Sequence, residues 1–491
     1  MSPSVLAWAV VLIYVALIGG LAIRGALRTT DTDSYAVGNR DLPAALVGLA
    51  LTAQLTSVAT FVINPGLVFH SGISALVGYG LAAGLGIVLG LIVFSARFRS
   101  VGSRVAALTL PQWIGARWDS SLLRGTFATL SLGLVAYAVL IVVALSLVLG
   151  NLLSVPPAAV ATALTVFAVA TVALGGANGH AWTGAAQAVV MLGVAVLLIG
   201  KGLPSLLDGS AVAGLRAADP ALLGLTNPGS HYFRNLFEVL ACNFVVGGAL
   251  VCQPHIVSKV LFLRDDSQVR SYLLTAVLAG TVFLGVLVTG LYARSIIPAD
   301  TRIDLVIPTW IAMAFSPGMQ VVIAVGLLCA GLSTLEGILL ALGSMFSIDV
   351  HPAWRKLTGA SEQGALRFGR IGLALVGLAT IALAQRQLAN PAGGSVAIFA
   401  QYGVYLLFTG AFVPLAAGMF SKHVSRGSVT VATLASIGTY LAAATWHWTA
   451  LSNNPAVLAT FGMGAGWTAL AACEGLRRLS NKTAAAEPAA G

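Results

Sequence analysis

Residues 44–70 read AALVGLALTAQLTSVATFVINPGLVFH, and this stretch decides how the chain folds. It is long and apolar enough to cross a bilayer, which takes about 20 residues. Its middle nevertheless carries six polar side chains: Thr52, Gln54, Thr56, Ser57, Thr60 and Asn64. The triplet at 64–66, Asn-Pro-Gly, predicts a break in the helix. Because lipid offers no water to freed backbone groups, we interpret the stretch as a broken helix lining a polar site; a kinked helix packed against a neighbour is the alternative.

Composition places the whole chain in a membrane. Of its 491 residues, 58% are hydrophobic and only 9% are charged, whereas a soluble domain has about 25% charged residues. The net charge of +10 is compatible with nucleic acid binding, but its placement beside apolar segments favours loops next to anionic lipid. The four cysteines show no paired spacing, and we interpret them as small core residues.

Hydropathy predicts an all-α polytopic membrane protein with about thirteen transmembrane helices. The predicted spans are 5–27, 44–70, 73–96, 121–150, 156–176, 181–203, 235–252, 268–293, 318–346, 366–386, 394–420, 427–447 and 455–476. Short amphipathic helices are expected at 108–118 and 306–315.

The distribution of basic residues predicts the orientation. With thirteen spans, 20 of the 26 Lys and Arg residues, Lys259 among them, fall on one side of the membrane. Basic loops stay in the cytoplasm. We therefore expect a multi-pass protein of the plasma (inner) membrane with its N-terminus outside and its C-terminus inside.

A second polar interruption lies in residues 318–350. The apolar run is broken by Ser333-Thr334-Leu335-Glu336, and a carboxylate at membrane depth is costly enough to suggest a functional role. Ser333 and Thr334 offer hydroxyl oxygens, and Ala330 offers a carbonyl that such hydroxyls compete for. Neutral oxygens suit a hard cation. The alternative is a Ser/Thr pair bonded to its own helix and a Glu336 paired with a basic group.

Six motifs then occur in a set order. They are Ser34-Tyr35-Ala36-Val37-Gly38-Asn39-Arg40, Asn64-Pro65-Gly66 with Ser71-Gly72-Ile73, Leu108-Thr109-Leu110-Pro111 with Arg117, Gly175-Gly176 with Trp182-Thr183 and Gln187, Gln253-Pro254-His255, and Ser333-Thr334-Leu335-Glu336. In this order the chain resembles the sodium:solute symporter family, which includes carriers of proline, pantothenate, sialic acid, glucose and monocarboxylates. The likeness covers roughly residues 5–420.

The resemblance implies a LeuT-like fold of two inverted five-helix repeats, each beginning with a discontinuous helix. We expect the second of these helices, 235–252, to be interrupted at Gly247-Gly248. The implied organisation is a first helix and loop (1–43), the first repeat (44–203), an extracytoplasmic loop (204–234), the second repeat (235–420), two C-terminal helices (421–479) and a disordered tail (480–491).

The resemblance also implies a sodium site. It would consist of the backbone oxygens of Ala53 and Thr56, the carbonyl of Ala330, and the hydroxyls of Ser333 and Thr334. Two positions differ from relatives that have an acid there, Gly184 after Trp182-Thr183 and Leu55 in the broken helix. We therefore expect one coupling cation. Sodium is favoured over a proton, which would need Glu336 or Glu238 as its carrier.

The expected partner is a small organic solute held beside the ion, such as an organic acid or an amino acid. The candidate contacts are Gln54, Ser57, Thr60, Asn243, Phe244, Gln401 and Tyr402, although each also suits interhelical packing. No intramembrane Lys or Arg is expected in this cavity.

These features predict a sodium-coupled symporter rather than an enzyme, with the lipid bilayer as its surroundings, no nucleic acid partner and no obligate protein partner. Three alternatives remain: a proton-coupled carrier of the same fold with Glu336 as coupling acid, a membrane sensor module, and a membrane redox or acyl-transfer subunit. A sensor should carry a signalling domain after the last span, and the tail after Arg478 is short for one. A redox or acyl-transfer subunit should show paired histidine ligands or an acid-histidine pair, and the seven histidines have no ligand spacing.

Overall fold

The computed structural model describes residues 3–359, 364–390, 396–446, 448–449 and 451–486. Within those ranges all regular structure is helical, and no strand occurs. The predicted all-α class is confirmed.

Ten helical segments are long and apolar enough to cross a membrane within the described residues. They are Val5–Ala26, Ile73–Arg104, Ser121–Leu153, Pro157–Leu207, Asp266–Ala293, Pro317–Thr358, Ala365–Ala389, Ile398–Phe420, Arg426–Trp446 and Pro455–Asn481. Two further spans are bent pairs of helices. The 51-residue segment is interrupted by a non-helical Gly176, and its length of about 75 Å is enough for two crossings of a bilayer about 30 Å thick. Divided there, the segments agree with the thirteen predicted spans.

Short helices connect the spans. They are Thr32–Val37, Leu110–Arg117, Ser210–Ala218, Pro220–Leu223 and Ile303–Ala314. The two amphipathic helices predicted from the sequence are therefore present. The last helix, Pro455–Ala486, makes residues 480–486 helical rather than disordered as predicted, and 487–491 lie outside the described residues.

The first bent span consists of Ala44–Leu55 and Ala59–Ser71, which meet at 54°. The bend lies at 56–58 and not at the predicted 64–66, which starts the helix Asn64–Ser71. Pro65 directly follows the π-helical turn Ala59–Ile63, and the helix continues through it to Ser71. Gly66 permits close packing, since a Cβ there would lie 2.2 Å from the Ile303 carbonyl oxygen.

The second bent span consists of Phe237–Leu250 and Pro254–Phe262, which meet at 59°. The predicted interruption at Gly247-Gly248 is wrong, because both residues lie inside the helix Asn243–Leu250. A Cβ on Gly247 would lie 2.2 Å from the Ala83 carbonyl oxygen, so this glycine serves helix packing. The break occurs at Gln253, whose extended backbone precedes Pro254. The span therefore continues ten residues beyond its predicted end at 252, to Phe262.

The helix Pro317–Met345 forms the centre of the molecule, and 89% of an apolar stretch of 18 residues in its span is buried. It packs against Ala44–Leu55, Leu134–Leu153 and the long segment Pro157–Leu207. This arrangement places Ser333 and Thr334 against the end of the first half of the first bent span.

Candidate functional site

Hydroxyl groups of the central helix meet backbone carbonyls where the first bent span breaks. The Ser333 hydroxyl donates to the Ala53 carbonyl at 2.9 Å and to the Ala330 carbonyl at 3.1 Å. The Thr334 hydroxyl lies 3.1 Å from the Gln54 carbonyl, 3.2 Å from that of Ala330 and 3.4 Å from that of Ala53. Four of the five predicted ion-site residues are thus brought together, and Gln54 adds a carbonyl that the sequence did not indicate.

The local structure explains why these oxygens are available. The last carbonyls of a helix have no partner in their own helix, and Ala44–Leu55 ends at Leu55. Ala53, Ser333 and Thr334 are fully buried. Oxygens about 2.4 Å from one cation lie about 3.4 Å from each other, which is comparable to the separations found here. Hydrogen bonds have the same spacing, and both hydroxyls also bond the Ala330 carbonyl of their own helix, as the alternative interpretation expected.

Thr56, the fifth predicted ion-site residue, lies beside this cluster. It follows the first half-helix, and its N–H donates to the Thr52 carbonyl at 3.0 Å. Its side chain is buried and lines the neighbouring cavity. The contacts that the structure shows for Ser333 and Thr334 come from Ala53, Gln54 and Ala330.

Glu336 lies one turn after Ser333 and is 1% exposed. The Thr183 hydroxyl donates to its carboxylate at 3.0 Å and the Thr171 hydroxyl at 3.2 Å. His180 Nδ1 is 3.6 Å from the carboxylate oxygen Oε2, which also accepts from Thr183. Among the described residues, no Lys or Arg forms an ion pair with Glu336. The basic partner considered in the sequence analysis is therefore absent there, and two hydroxyl donors and the His180 ring surround the carboxylate instead.

Gly184, where relatives were expected to have an acid, lies against the first bent span. A Cβ there would be 3.2 Å from the Cβ of Ala50. This close approach leaves little room for a carboxylate side chain at position 184, and Glu336 is the buried acid in this region.

An outer cavity lies between the two bent spans. Its polar lining includes Thr56, Ser57, Thr60, Asn64, Tyr79, Tyr137, Asn243, Gln401 and Tyr405. The Tyr137 hydroxyl donates to the Ser57 hydroxyl at 2.7 Å, and the Asn243 amide donates to the Glu238 carbonyl at 2.7 Å. Four of the seven candidate solute contacts, namely Ser57, Thr60, Asn243 and Gln401, therefore line one cavity.

The other three candidates are placed differently. Phe244 is 40% exposed on the outer surface of the molecule and does not line this cavity. Tyr402 contributes its carbonyl to a hydrogen bond from the Tyr440 hydroxyl at 3.1 Å. Gln54 lines two other cavities. The middle cavity shares Tyr137 and Gln401 with the outer one. The inner cavity is lined by Gln54 together with His255, Lys259 and Ser344.

Lys259 is a buried residue that the sequence analysis missed. We expected it in a cytoplasmic loop because the second bent span was predicted to end at 252. It lies instead in the second half of that span and is 1% exposed. Its ammonium is 4.8 Å from the centre of the Phe262 ring. The available signal was the apolar sequence on both sides of this lysine, Ile256-Val257 before it and Val260-Leu261-Phe262-Leu263 after it.

Comparison with known proteins supports the resemblance drawn from the motifs. The family model for the sodium:solute symporter family matches residues 35–429. The sodium/pantothenate symporter of Haemophilus influenzae is 26% identical over 382 residues, which cover 73% of this chain and 75% of that protein. The sodium/pantothenate symporter of Escherichia coli is 28% identical over 286 residues, covering 55% of this chain and 56% of that protein.

Solved structures show the same fold. A Na+-coupled sialic acid symporter in a substrate-bound outward-open state superposes with a TM-score of 0.77, covering 94% of this chain and 96% of that one at 17% identity. The Eremococcus coleocola manganese transporter gives a TM-score of 0.50 at 14% identity, with 89% and 95% covered. The family match, which extends over most of the chain, shows that this protein belongs to the sodium:solute symporter family.

Proposed function

We propose that this sodium-coupled symporter imports a small organic solute by alternating access, with one sodium ion bound by neutral oxygens. The proposed ligands are the carbonyls of Ala53, Thr56 and Ala330 with the hydroxyls of Ser333 and Thr334, and the Gln54 carbonyl is a further candidate. The solute would occupy the outer cavity beside this site. The observation that carries the proposal is the group of hydroxyl and carbonyl oxygens separated by 2.9–3.4 Å.

Coupling between the ion and the solute follows from the two elements that supply the proposed ligand oxygens. They belong to two elements, the first bent span and the central helix, that are 280 residues apart in sequence. An ion that binds only when both elements are in place stabilises that one conformation. Since the outer cavity is lined by the same bent span, the ion and the solute favour the same state, and each raises the affinity for the other.

The direction of transport rests on the predicted orientation. We place the N-terminus outside and the C-terminus in the cytoplasm, and we assign 44–203 and 235–420 as the two repeats that move against each other. The two bent spans support this division, because each contains the break expected in the first helix of a repeat.

Pantothenate is the first solute to test. Two relatives are named sodium/pantothenate symporters. An organic acid or an amino acid of similar size also fits a modestly polar cavity with hydroxyl and amide groups.

Uptake by the purified protein in proteoliposomes tests the proposal. Pantothenate and a panel of organic and amino acids are offered with an inward sodium gradient, with a potassium gradient and with a proton gradient. We expect sodium-driven accumulation of at least one solute and its loss in Thr334→Ala. Thr445→Ala, which removes an exposed hydroxyl bonded to its own helix, is the matched control. Sodium-independent uptake that persists in Thr334→Ala refutes the proposal.

A proton-coupled carrier is the second candidate, and it is favoured by one observation. Glu336 is a buried acid held by neutral hydroxyl groups and a histidine ring, one turn from the proposed ion site. In this case accumulation would follow the proton gradient and would be lost in Glu336→Gln.

A further inference from the structure

Four buried polar side chains surround an inner cavity without a hydrogen-bond partner among the described residues. They are Gln54, His255, Lys259 and Ser344, and all four line the cavity. Each is no more than 4% exposed. The unpartnered atoms are the Gln54 Oε1, both His255 ring nitrogens, the Lys259 Nζ and the Ser344 Oγ.

Lys259 is the group that most requires a partner. An ammonium removed from water without a counter-charge is strongly destabilised in a protein interior. Its Nζ contacts the Phe262 ring, a weak interaction compared with an ion pair. Glu336 acts on Lys259 electrostatically, but its carboxylate already accepts from Thr171 and Thr183, and no ion pair joins it to Lys259 in the described structure.

The inner cavity and the proposed solute site are linked by residues that line neighbouring cavities. Gln54 and His255 line both the inner and the middle cavity, and Tyr137 and Gln401 line both the middle and the outer cavity. Leu108, Thr109 and Pro111, from a segment predicted to face the cytoplasm, line the other end of the inner cavity. The three cavities therefore form a sequence from the outer cavity toward that side.

We infer that the inner cavity is an anion site in which Lys259 pairs with the carboxylate of the transported solute as it passes toward the cytoplasm. His255 and Ser344 supply neutral donors around it, whereas the Gln54 Oε1 is an acceptor and suits the ammonium rather than the carboxylate. A carboxylate accepts several hydrogen bonds at once, and a lysine ammonium supplies three donors. This site narrows the substrate class to organic anions. Its role in transport rests on the proposed function, whereas the binding of an anion does not.

Ligand-induced thermal stabilisation of the full-length purified protein in sodium-free choline buffer tests this site. The probes are three carboxylates, pantothenate, lactate and benzoate, each with its neutral counterpart, panthenol, lactamide and benzamide. Inorganic phosphate tests for a resident inorganic anion instead. We expect at least one carboxylate to stabilise the wild-type protein and its neutral counterpart not to do so. The apparent affinity should fall by at least about tenfold in Lys259→Gln.

Two further variants separate loss of the site from loss of the fold. Lys259→Arg keeps the charge and should retain stabilisation by the carboxylate, and Lys422→Gln, which removes an exposed lysine, should behave as wild type. Failure of every carboxylate to stabilise the wild-type protein, an equal effect of the neutral counterpart, stabilisation by phosphate alone, or unchanged affinity in Lys259→Gln overturns the inference. Because no sodium is present, these outcomes are distinct from an absence of sodium-driven uptake, which would overturn the proposed function.

Discussion

The two bent spans differ in the charge that they bring to the middle of the molecule. The first, Ala44–Leu55 with Ala59–Ser71, ends its first half in carbonyls that meet the Ser333 and Thr334 hydroxyls. The second, Phe237–Leu250 with Pro254–Phe262, carries the buried lysine Lys259 in its second half. Both spans break their helix by a similar angle, 54° and 59°.

This difference shows that a broken helix does not by itself determine what it binds. Each break frees backbone groups in a region without lipid contact. In the first span the contacts described at the break come from neutral oxygens, for which we propose a small cation. In the second span a lysine follows the break, and it favours an anion. A cation and an organic anion held on opposite spans would also reduce the net charge moved across the membrane.

Glycine contacts that fix both spans should give the largest effects. Gly66→Ala and Gly247→Ala each bring a Cβ within 2.2 Å of a backbone carbonyl oxygen, of Ile303 and Ala83 respectively. Because backbone cannot rotate away, we expect a loss of about 1–3 kcal/mol of stability or more, measured as a lower unfolding temperature. Gly438→Ala is the matched control, since no atom lies within 4 Å of its Cβ position. Equal unfolding temperatures for the three variants would show that these contacts do not fix the spans.

The contact between the first bent span and the central helix should give the next largest effect. A Cβ on Gly337 would lie 1.7 Å from the Gln54 Nε2 and 2.7 Å from its Cδ. Gly337→Ala must displace the Gln54 side chain, and we expect sodium-driven uptake to fall about tenfold. The double variant Gly337→Ala/Gln54→Ala removes the clash and should give higher sodium-driven uptake than Gly337→Ala alone. No recovery in the double variant would place the defect elsewhere.

The outer cavity should respond more weakly to the loss of one hydroxyl. Tyr137→Phe removes the hydrogen bond to Ser57 at 2.7 Å. A lost hydrogen bond of about 1 kcal/mol corresponds to about a fivefold rise in the KM for the solute. At saturating solute, the sodium concentration for half-maximal uptake should stay the same, since the hydrogen bonds described for Ser333 and Thr334 do not involve Tyr137. A change confined to sodium activation would contradict the separation of the two sites.

The carboxylate of Glu336 should matter least if sodium is held by neutral oxygens. Glu336→Gln keeps an acceptor for the Thr171 and Thr183 hydroxyls and removes the charge. We expect sodium-driven uptake to change by less than about threefold, because the glutamine replaces part of the lost charge-assisted hydrogen bonding. Loss of uptake together with loss of its dependence on external pH would instead identify Glu336 as a proton carrier.

Much of this fold was predictable because hydropathy reports on lipid directly. The thirteen spans follow from apolar length alone, and Gly175-Gly176 marks the point where one long helical segment divides into two. Ser333 and Thr334 were also identifiable, since hydroxyl groups in an apolar span have few roles other than ligation or packing. The family resemblance, drawn from the six ordered motifs, identified residues 44–70 as the segment that meets these two hydroxyls.

The positions of the helix breaks were not predictable from local sequence. Pro65 predicts a break, but the π-helical turn Ala59–Ile63 leads directly into it and the helix continues to Ser71. Gly247 likewise serves close approach to Ala83 rather than flexibility. Lys259 was placed in a loop because burial of a lysine depends on elements distant in sequence, and charge alone predicts exposure.

Binding of radioactive sodium to the purified protein tests the central claim most directly. Equilibrium binding is measured for the wild type, for the double variant Ser333→Ala/Thr334→Ala and for Glu336→Gln. We predict one saturable sodium ion per wild-type chain, loss of binding in the double variant and retention in Glu336→Gln. Unchanged binding in the double variant, or loss of binding in Glu336→Gln alone, would contradict a site built from neutral oxygens.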